Sequence, residues 1–388
     1  MRRAVGVGAA LAVAAAVVLV VTWPSPAPRL SSASGQPPGA PPVARTTAAP
    51  TPPPTAAPFT APTTAAPLPV SEAGPPPLPV PVPTAPPALA GCPPPPPPPA
   101  SGGGTPTPPW HPDVEVPDSA LPAEAAPAPW TAGTAALAGK GMWVWQVGRT
   151  EGGDVGAIVR RAVASGLHQI WVRVGDSKDG FYAVATLDAL VPAAHRAGVA
   201  VIGWGFPYLY DPVGDAVWTL DALRWSAPDG SRLDGYSADI ERPSEGVDLS
   251  RARVAAYLQT VRQGAGDRLI VATVYPPTNG NWFGSYPYRA MARYVDAFAP
   301  MIYWECTDPA ADAAEAVARL TTLLPVHLVG QAFSLADVGG RAPAPSAAET
   351  EWFLAAAQHG GALGASFWVW QSATPEEWAA VAAYPWAR

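Results

Sequence analysis

Lysine, cysteine and histidine are scarce in this chain of 388 residues, and each scarcity excludes a class of function. Only two lysines occur and the formal net charge is −7, so no basic surface is available to neutralise nucleic-acid phosphates. The two cysteines lie far apart, and the five histidines are scattered without the spacing of metal ligands. No G-x-G-x-x-G motif follows the first predicted strand, which argues against a dinucleotide-binding loop. We therefore expect no nucleic-acid partner, no metal and no cofactor.

Charged and large apolar side chains are also rare between residues 24 and 130. This stretch holds 38 of the 53 prolines and only seven charged residues. Such a composition buries too little apolar surface to offset chain entropy, so we predict a disordered Pro/Ala/Thr-rich linker over residues 24–130. In polyproline geometry it would extend by roughly 3.1 Å per residue and act as a spacer. In an oxidising compartment a disulfide between Cys92 and Cys306 is possible, and it would tether this linker while stabilising little.

The first 23 residues contain an uncharged apolar run from Ala4 to Trp23, preceded by Arg2 and Arg3. The run is long enough to cross a bilayer. Two interpretations stay open, a cleaved signal peptide and an uncleaved signal anchor with the two arginines on the inner side. Both place the rest of the chain outside the cytoplasm. We therefore expect an extracellular or cell-surface protein, either membrane-tethered or secreted.

The remaining residues, 131–388, alternate short apolar strands with Ala-rich helices. The predicted strands are Met142–Val147, Gln169–Val174, Val199–Phe206, Gly235–Glu241, Leu269–Tyr275, Ala297–Trp304, Val326–Phe333 and Ala365–Gln371. Predicted helices include Val155–Ala164, Thr186–Ala197, Arg251–Gln263, Ala310–Leu323 and Ala347–Gln358. Eight such units in about 250 residues match an α/β fold of the (β/α)8 TIM-barrel type, with a doubly wound open sheet as the alternative.

In such a barrel the active site lies at the C-terminal ends of the strands. The residues predicted at these ends are mostly aromatic, with a few carboxylates and amides. Aromatic faces stack on pyranose rings and polar groups bind sugar hydroxyls, so the set indicates a carbohydrate cleft. Arg173 and Asp176 are alternatively a structural ion pair. The predicted substrate-binding residues are Trp145, Arg173, Asp176, Trp204, Tyr208, Tyr275, Glu305, Gln331, Trp368 and Trp370.

Asp239 and Glu241 are the sharpest signal in the sequence. Side chains alternate along a strand, so the two acids share one face with Ser237, and their apolar neighbours face the helices. Two carboxylates at this spacing do not both ionise easily in a partly dry site, so one pKa is expected to rise and keep a protonated general acid. Because both point the same way, they cannot flank an anomeric carbon. This favours substrate-assisted hydrolysis, in which the sugar's 2-acetamido oxygen attacks.

The segment from residue 233 to 241 resembles the strand-four signature D-x-x-D-x-D-x-E of family 18 glycoside hydrolases, the chitinase type. Asp234 matches the first acid, Asp239 the last Asp and Glu241 the proton donor. Ser237 replaces the middle Asp. Lysozyme-type family 25 barrels also carry a D-x-E on a strand and are a second relative to consider.

Two further segments resemble family 18. Met301-Ile302-Tyr303 is similar to its strand-six M-x-Y-D motif, with Trp304 in the position of the Asp. Trp368 or Trp370 resembles the strand-eight tryptophan that forms the floor of the catalytic subsite.

The resemblance implies that Glu241 is the general acid, that Asp239 orients the acetamido group and that Tyr303 assists it. We expect an exported, monomeric glycoside hydrolase acting on O-glycosidic bonds of an N-acetylated cell-wall or chitin-like polysaccharide. Peptidoglycan is the substrate that the spacer favours. The alternative is a catalytically inactive glycan-binding barrel of the cell surface, supported by Ser237 and Trp304. A buried structural network of the two acids with Arg173 is a third interpretation.

Overall fold

The structure is a computed structural model that describes residues 110–112, 115–278, 285–304, 306–334 and 344–386. The predicted N-terminal segment, most of the predicted linker and Glu305 lie outside these residues. Within the described part of the chain, no helix combines the length and apolarity needed to cross a membrane. Cys306 is disulfide-bonded, and the chain's other cysteine, Cys92, lies outside the described residues.

Eight parallel strands close into a barrel. The strands of the sheet are β1 (Gly139–Val144), β2 (Gln169–Asp176), β3 (Gly180–Phe181), β4 (Ala200–Phe206), β5 (Gly235–Asp239), β6 (Ile270–Val274), β7 (Ala297–Ile302), β8 (His327–Gln331) and β9 (Gly364–Trp368). β1 pairs in parallel with both β2 and β9, which closes the sheet, whereas the short β3 is an antiparallel addition to β2. The (β/α)8 prediction is confirmed, and the open sheet is excluded.

Helices cover the outside of the barrel. Those described are α1 (Val155–Ala164), α2 (Val184–Arg196), α3 (Pro212–Arg224), α4 (Arg251–Ala265), α5 (Tyr288–Met291), α6 (Pro309–Leu320), α7 (Ala347–His359) and α8 (Pro375–Ala383). The five helices expected from the sequence are present, with ends within three residues of prediction. The longer of the additional helices, α3 and α8, begin with proline in the first turn behind the capping side chains of Asp211 and Thr374.

Six of the eight barrel strands end one to three residues before their predicted ends. Apolar side chains continue into the first loop residues, where Ile240 is fully buried and Trp370 is 3% exposed. The apolar pattern therefore overstates strand length, because loop residues also pack against the barrel. As a result, Glu241 lies in the loop that follows β5.

Apolar side chains pack on both faces of the barrel wall. Outside, residues such as Val172 and Phe298 face the helices. Inside, the core is built on tryptophans. Trp143 stacks on Trp171 with ring centroids 4.6 Å apart, and Trp204 lies 5.6 Å from Trp143. This filled interior forms a solid base beneath the C-terminal ends of the strands, which we call the mouth of the barrel.

Residues 115–134, which we call the N-terminal strap, run along α4 from the mouth to the opposite end of the barrel. Three hydrogen bonds mark its course: Val116 N to Tyr210 O (3.0 Å), Ala125 N to Gln259 Oε1 (2.7 Å) and Thr131 N to Asp267 Oδ1 (2.8 Å). Contacts with the barrel thus begin before residue 131, inside the stretch predicted as linker. These contacts are hydrogen bonds of backbone N–H groups, and a search for apolar patterns in the sequence does not detect them.

Candidate active site

Asp239 and Glu241 lie together at the mouth of the barrel. Asp239 is the last residue of β5, and Glu241 follows two positions later. Tyr236, Ala238 and Ile240 pack in the outer core between strands and helices. The two acids therefore take the opposite, inward face, as strand alternation predicts. Both are nearly buried, with 7% and 8% of their surface exposed.

One oxygen on each acid has no hydrogen-bond partner in the part of the chain that the structure describes. Asp239 Oδ1 and Glu241 Oε2 are buried atoms without a hydrogen-bond partner among the described residues. The Ser237 hydroxyl, one inward position earlier, hydrogen-bonds to the Thr273 hydroxyl (2.7 Å). A buried carboxylate oxygen without a partner is unfavourable unless it is protonated or a ligand binds it. These two oxygens are therefore available to exchange a proton or to bind a substrate.

Burial raises the pKa of both carboxyl groups. For Asp239, burial is the largest cause, and the positive charge of Arg173 opposes it. For Glu241, burial comes first and the negative charge of Asp239 second, while a hydrogen bond from Tyr275 acts in the opposite direction and lowers the pKa. The pair thus retains a proton at a pH where isolated carboxyl groups would be ionised.

Asp176 holds Arg173 in place. One oxygen of Asp176 accepts from an Arg173 guanidinium nitrogen (2.8 Å), and the other accepts from the backbone N–H groups of Lys178 (3.0 Å) and Asp179 (2.9 Å). The guanidinium also lies over the Trp204 ring, 5.4 Å from its centroid. Asp176 is therefore engaged by the β2–β3 turn and by Arg173. Of these two residues, Arg173 is the one whose charge acts on Asp239.

Tyr275 and a third buried carboxylate, Glu245, border the acid pair. Glu245 is 7% exposed, and burial raises its pKa. Its charge adds to the upward shift of the pKa at both Asp239 and Glu241. Arg242 lies over the Tyr275 ring at 4.0 Å. Glu245 follows Glu241 by four residues in the same β5–α4 loop, but no strand or motif pattern in the sequence indicates its place at the site.

Trp368 and Trp145 pack on the inner core at the mouth of the barrel and form its aromatic floor. The Trp368 ring lies 6.2 Å from Trp145 and 5.1 Å from Trp204. Trp145 and Trp368 are half-buried, whereas Trp204 is 1% exposed and donates its indole N–H to Val144 O (3.3 Å). Trp204, predicted to contact substrate, instead lies beneath this floor, because it sits one inward position before the end of β4.

Trp370 lies outside the barrel wall. It is 3% exposed, its ring lies 4.7 Å from Trp378 of α8, and its indole N–H donates to Glu151 Oε1 (3.0 Å). The prediction that it lines the cleft is corrected, because β9 ends at Trp368 and the strand alternation does not continue to residue 370.

Tyr303 and Gln331 occupy the side of the mouth formed by β7 and β8. Burial, followed by the charges of Asp239 and Glu241, raises the pKa of Tyr303, so its hydroxyl stays protonated beside the acids. Gln331 is 1% exposed and donates to Phe333 O (2.9 Å). Trp304 faces the opposite way and packs 5.4 Å from Phe353 in the outer core. Glu305, predicted to bind substrate, lies outside the described residues.

Tyr208 lies on the loop after β4. It is half-buried, its ring packs 4.7 Å from Phe206, and its backbone N–H donates to Ser177 Oγ (2.6 Å). Burial raises the pKa of Tyr208 to about 12, and Arg173, Asp176 and Glu245 are its charged neighbours. The structure therefore places it on the same side of the mouth as Arg173.

Asp234, which matches the first acid of the family 18 signature, lies at the other end of β5. Its Oδ2 accepts from Val201 N (2.7 Å) and contacts His195 Nε2 (2.8 Å). It joins β5 to α2 and β4, away from the mouth. The described residues contain no cluster of three or more His, Cys, Asp or Glu side chains placed to hold a metal ion.

Asp239→Asn is expected to stabilise the fold at pH 8 and to have little effect at pH 4. A carboxyl group whose folded-state pKa is raised above its unfolded value of about 4 lowers stability as pH rises through the folded pKa. The amide of the Asp239→Asn variant carries no charge at either pH, so the variant does not lose folding stability in this way as pH rises. Urea unfolding at both pH values measures the difference, with the exposed Asp221→Asn as control. Equal effects of Asp239→Asn at pH 4 and pH 8 would contradict the raised pKa.

No protein-family model matches the sequence, and no curated protein matches it. Several solved structures are similar to the chain at low identity. The family GH18 chitinase from Cycas revoluta is 12% identical, with 63% of this chain and 99% of that one covered and a TM-score of 0.46. The Bacillus cereus spore cortex-lytic enzyme SleL is 12% identical over 63% of this chain and 73% of its own, also at a TM-score of 0.46.

An endo-1,4-β-D-mannanase from Thermotoga petrophila is 12% identical to the chain. The match covers 60% of this chain and 88% of the mannanase, with a TM-score of 0.46. Structures similar to this chain therefore include glycoside hydrolases with different named activities. We infer the function from the chain's own residues at the mouth.

Proposed function

We propose that this protein is a glycoside hydrolase that cleaves O-glycosidic bonds of an N-acetylated polysaccharide, with Glu241 as general acid. The observation that carries the proposal is the buried Asp239–Glu241 pair, which retains a proton and leaves an oxygen of each acid without a partner among the described residues. The half-buried Trp145 and Trp368, which pack on the inner core of the same barrel, offer apolar ring faces for a pyranose.

The geometry supports a substrate-assisted reaction. Glu241 gives its proton to the glycosidic oxygen as the C1–O bond breaks, and the substrate's acetamido oxygen forms a bond to C1 from the other side. The Asp239 carboxylate stabilises the positive charge that develops on the acetamido group, and the Tyr303 hydroxyl donates to the same group. Water then attacks C1, the Glu241 carboxylate takes its proton, and the acetamide is restored.

Two alternatives to this reaction have less support. A double displacement needs carboxyl groups on opposite sides of the anomeric carbon, whereas these two come from inward positions of one chain segment. A structural network of the acids with Arg173 would satisfy their oxygens, but Asp239 Oδ1 and Glu241 Oε2 lack partners in the described part of the protein.

The proposed setting is the outside of the cell. The apolar run Ala4–Trp23 and the proline-rich stretch after it are consistent with a monomeric domain that is secreted or held to a membrane by a long spacer. Peptidoglycan is the N-acetylated polymer that such a spacer would bring within reach, and chitin-like polymers share its acetamido sugar.

The acetamido group provides the test of this mechanism. We expect the full-length protein to cleave chitin oligomers and to cleave de-N-acetylated oligomers of the same length at least about 100-fold more slowly, because the attacking oxygen is then missing. Product chromatography under identical conditions measures both rates. Equal rates would exclude substrate assistance, even if the protein is a hydrolase.

A glycan-binding module without catalysis is the second candidate. It is favoured by Ser237, which occupies the position of the signature's middle Asp and hydrogen-bonds to Thr273 rather than presenting a further carboxylate below Asp239. Such a module would keep the aromatic floor and bind a glycan without releasing products.

A further inference from the structure

Trp110 extends the aromatic surface of the mouth from outside the barrel. This half-buried residue precedes the N-terminal strap. Its ring lies 5.0 Å from the Tyr208 ring and 6.1 Å from the Tyr210 ring, and His111 lies 4.3 Å from Tyr210. Trp110 does not belong to any of the barrel strands. It comes from the segment that composition alone assigns to a linker.

Arg253 ties the strap to the loop that carries the two tyrosines. Its side chain is 4% exposed and donates to Leu209 O (3.0 Å) and Tyr210 O (3.2 Å) on one side. On the other side it donates to Val116 O (2.8 Å) and to Glu115 Oε1 (3.0 Å). Since one buried guanidinium binds both segments, the strap and the β4–α3 loop hold each other in place.

The backbone between the two tyrosines is held by the side chain of Asp215. Leu209 between them has φ +63°, in the left-handed region, and its N–H donates to Asp215 Oδ2 (2.9 Å). Tyr208 has Arg173, Asp176 and Glu245 as charged neighbours. Arg173 is in turn the positive charge that acts on Asp239. Trp110 and Tyr208 therefore lie on the side of the mouth that carries Arg173.

We propose that Trp110 and Tyr208 form a rim subsite for a pyranose ring, beyond the sugars bound at the acid pair. The inference rests on the proposed function and adds a binding residue to it. The accessible part of the Trp110 indole offers an apolar face to the ring, and the Tyr208 hydroxyl offers a hydrogen bond to a sugar hydroxyl. The subsite makes binding depend on glycan length, because only a chain that reaches the rim contacts it.

Replacing Trp110 tests the subsite. We expect Trp110→Ala to raise KM for a chitin hexamer by about tenfold, with kcat/KM for a chromogenic disaccharide within about twofold of wild type. Trp110→Phe keeps an aromatic face and should retain most of the hexamer affinity. An unchanged hexamer KM in Trp110→Ala, with wild-type activity intact, would overturn the subsite and leave the proposed function standing.

Trp130 is the matched control on the same strap. Its indole N–H donates to Asp296 Oδ1 (2.6 Å) at the far end of the barrel, and Arg262 lies over its ring at 4.4 Å. Trp130→Ala should lower the melting temperature and leave the ratio of hexamer to disaccharide KM unchanged. A changed ratio would mean that loosening the strap, rather than losing Trp110, alters binding, and would also overturn the subsite.

A binding assay separates failure of the subsite from failure of the function. Calorimetry with the hexamer and the full-length protein needs no turnover, so it reports on Trp110 even in a protein that only binds glycan. Weaker binding in Trp110→Ala supports the subsite in that case as well. A wild-type protein that neither binds nor cleaves the hexamer overturns both the subsite and the proposed function.

Discussion

Glu241→Gln is expected to lower kcat by about 10²–10⁴-fold and to change glycan affinity by no more than about threefold. Glutamine has nearly the same shape as the protonated acid but cannot give a proton to the leaving oxygen. Burial and the negative charge of Asp239 raise the pKa of Glu241 and so keep the proton that the reaction uses. The effect should be large because no other side chain gives that proton in the proposed reaction. Steady-state kinetics and calorimetry on one glycan give both quantities.

Glu377→Gln is the control for removing a buried carboxylate. Glu377 is 1% exposed and belongs to the capping box of α8 with Thr374, on the helical side of the barrel. It should leave kcat unchanged. If Glu241→Gln keeps more than about a tenth of wild-type kcat, Glu241 is not the general acid, and Glu245 becomes the candidate to test.

Arg262→Met is expected to lower the free energy of unfolding by about 3–5 kcal/mol, the largest stability effect we predict. The Arg262 and Asp296 side chains are only 3% and 6% exposed, and their atoms lie 2.7 Å apart. Arg262 also donates to Tyr294 O (2.8 Å) and to two carbonyls beyond the end of α4. Methionine would leave Asp296 as a buried charge without its cation.

The exposed pair Arg160–Asp154 provides the comparison for this prediction. Its side chains are 72% and 60% exposed and 3.5 Å apart, so Arg160→Met should leave the free energy of unfolding almost unchanged. Urea unfolding at pH 7 measures both variants. Similar values for the two would show that the Arg262–Asp296 contact contributes no more than a surface pair.

Strand alternation predicts which face of β5 carries the two acids. In the segment that follows Gly235, the apolar residues Tyr236, Ala238 and Ile240 define the outer face, so Asp239 between them and Glu241 after Ile240 are expected to face inward. The number and spacing of the strands likewise fix a barrel and place these acids at its mouth. These features depend on local periodicity, which a sequence carries directly.

Other features of the site depend on where a strand ends or on contacts between residues that are far apart in the sequence. Trp370 does not reach the mouth because β9 ends at Trp368, and the buried apolar residues of the following loop hide that end in the sequence. The end of β4 is predicted correctly, but Trp204 lies one inward position before it and is covered by the aromatic floor. The strap is held by Arg253 and Gln259 of α4, more than 130 residues away in the chain. Nothing local to the proline-rich segment indicates those partners.

Release of new reducing ends by the full-length protein is the most direct test of the proposed reaction. The assay compares peptidoglycan, chitin oligomers and neutral polysaccharides, each incubated with wild type and with Glu241→Gln. We predict release from an N-acetylated glycan by wild type and almost none by the variant. Tight binding of a glycan by wild type, with no release from any substrate, would contradict a hydrolase and identify a glycan-binding module.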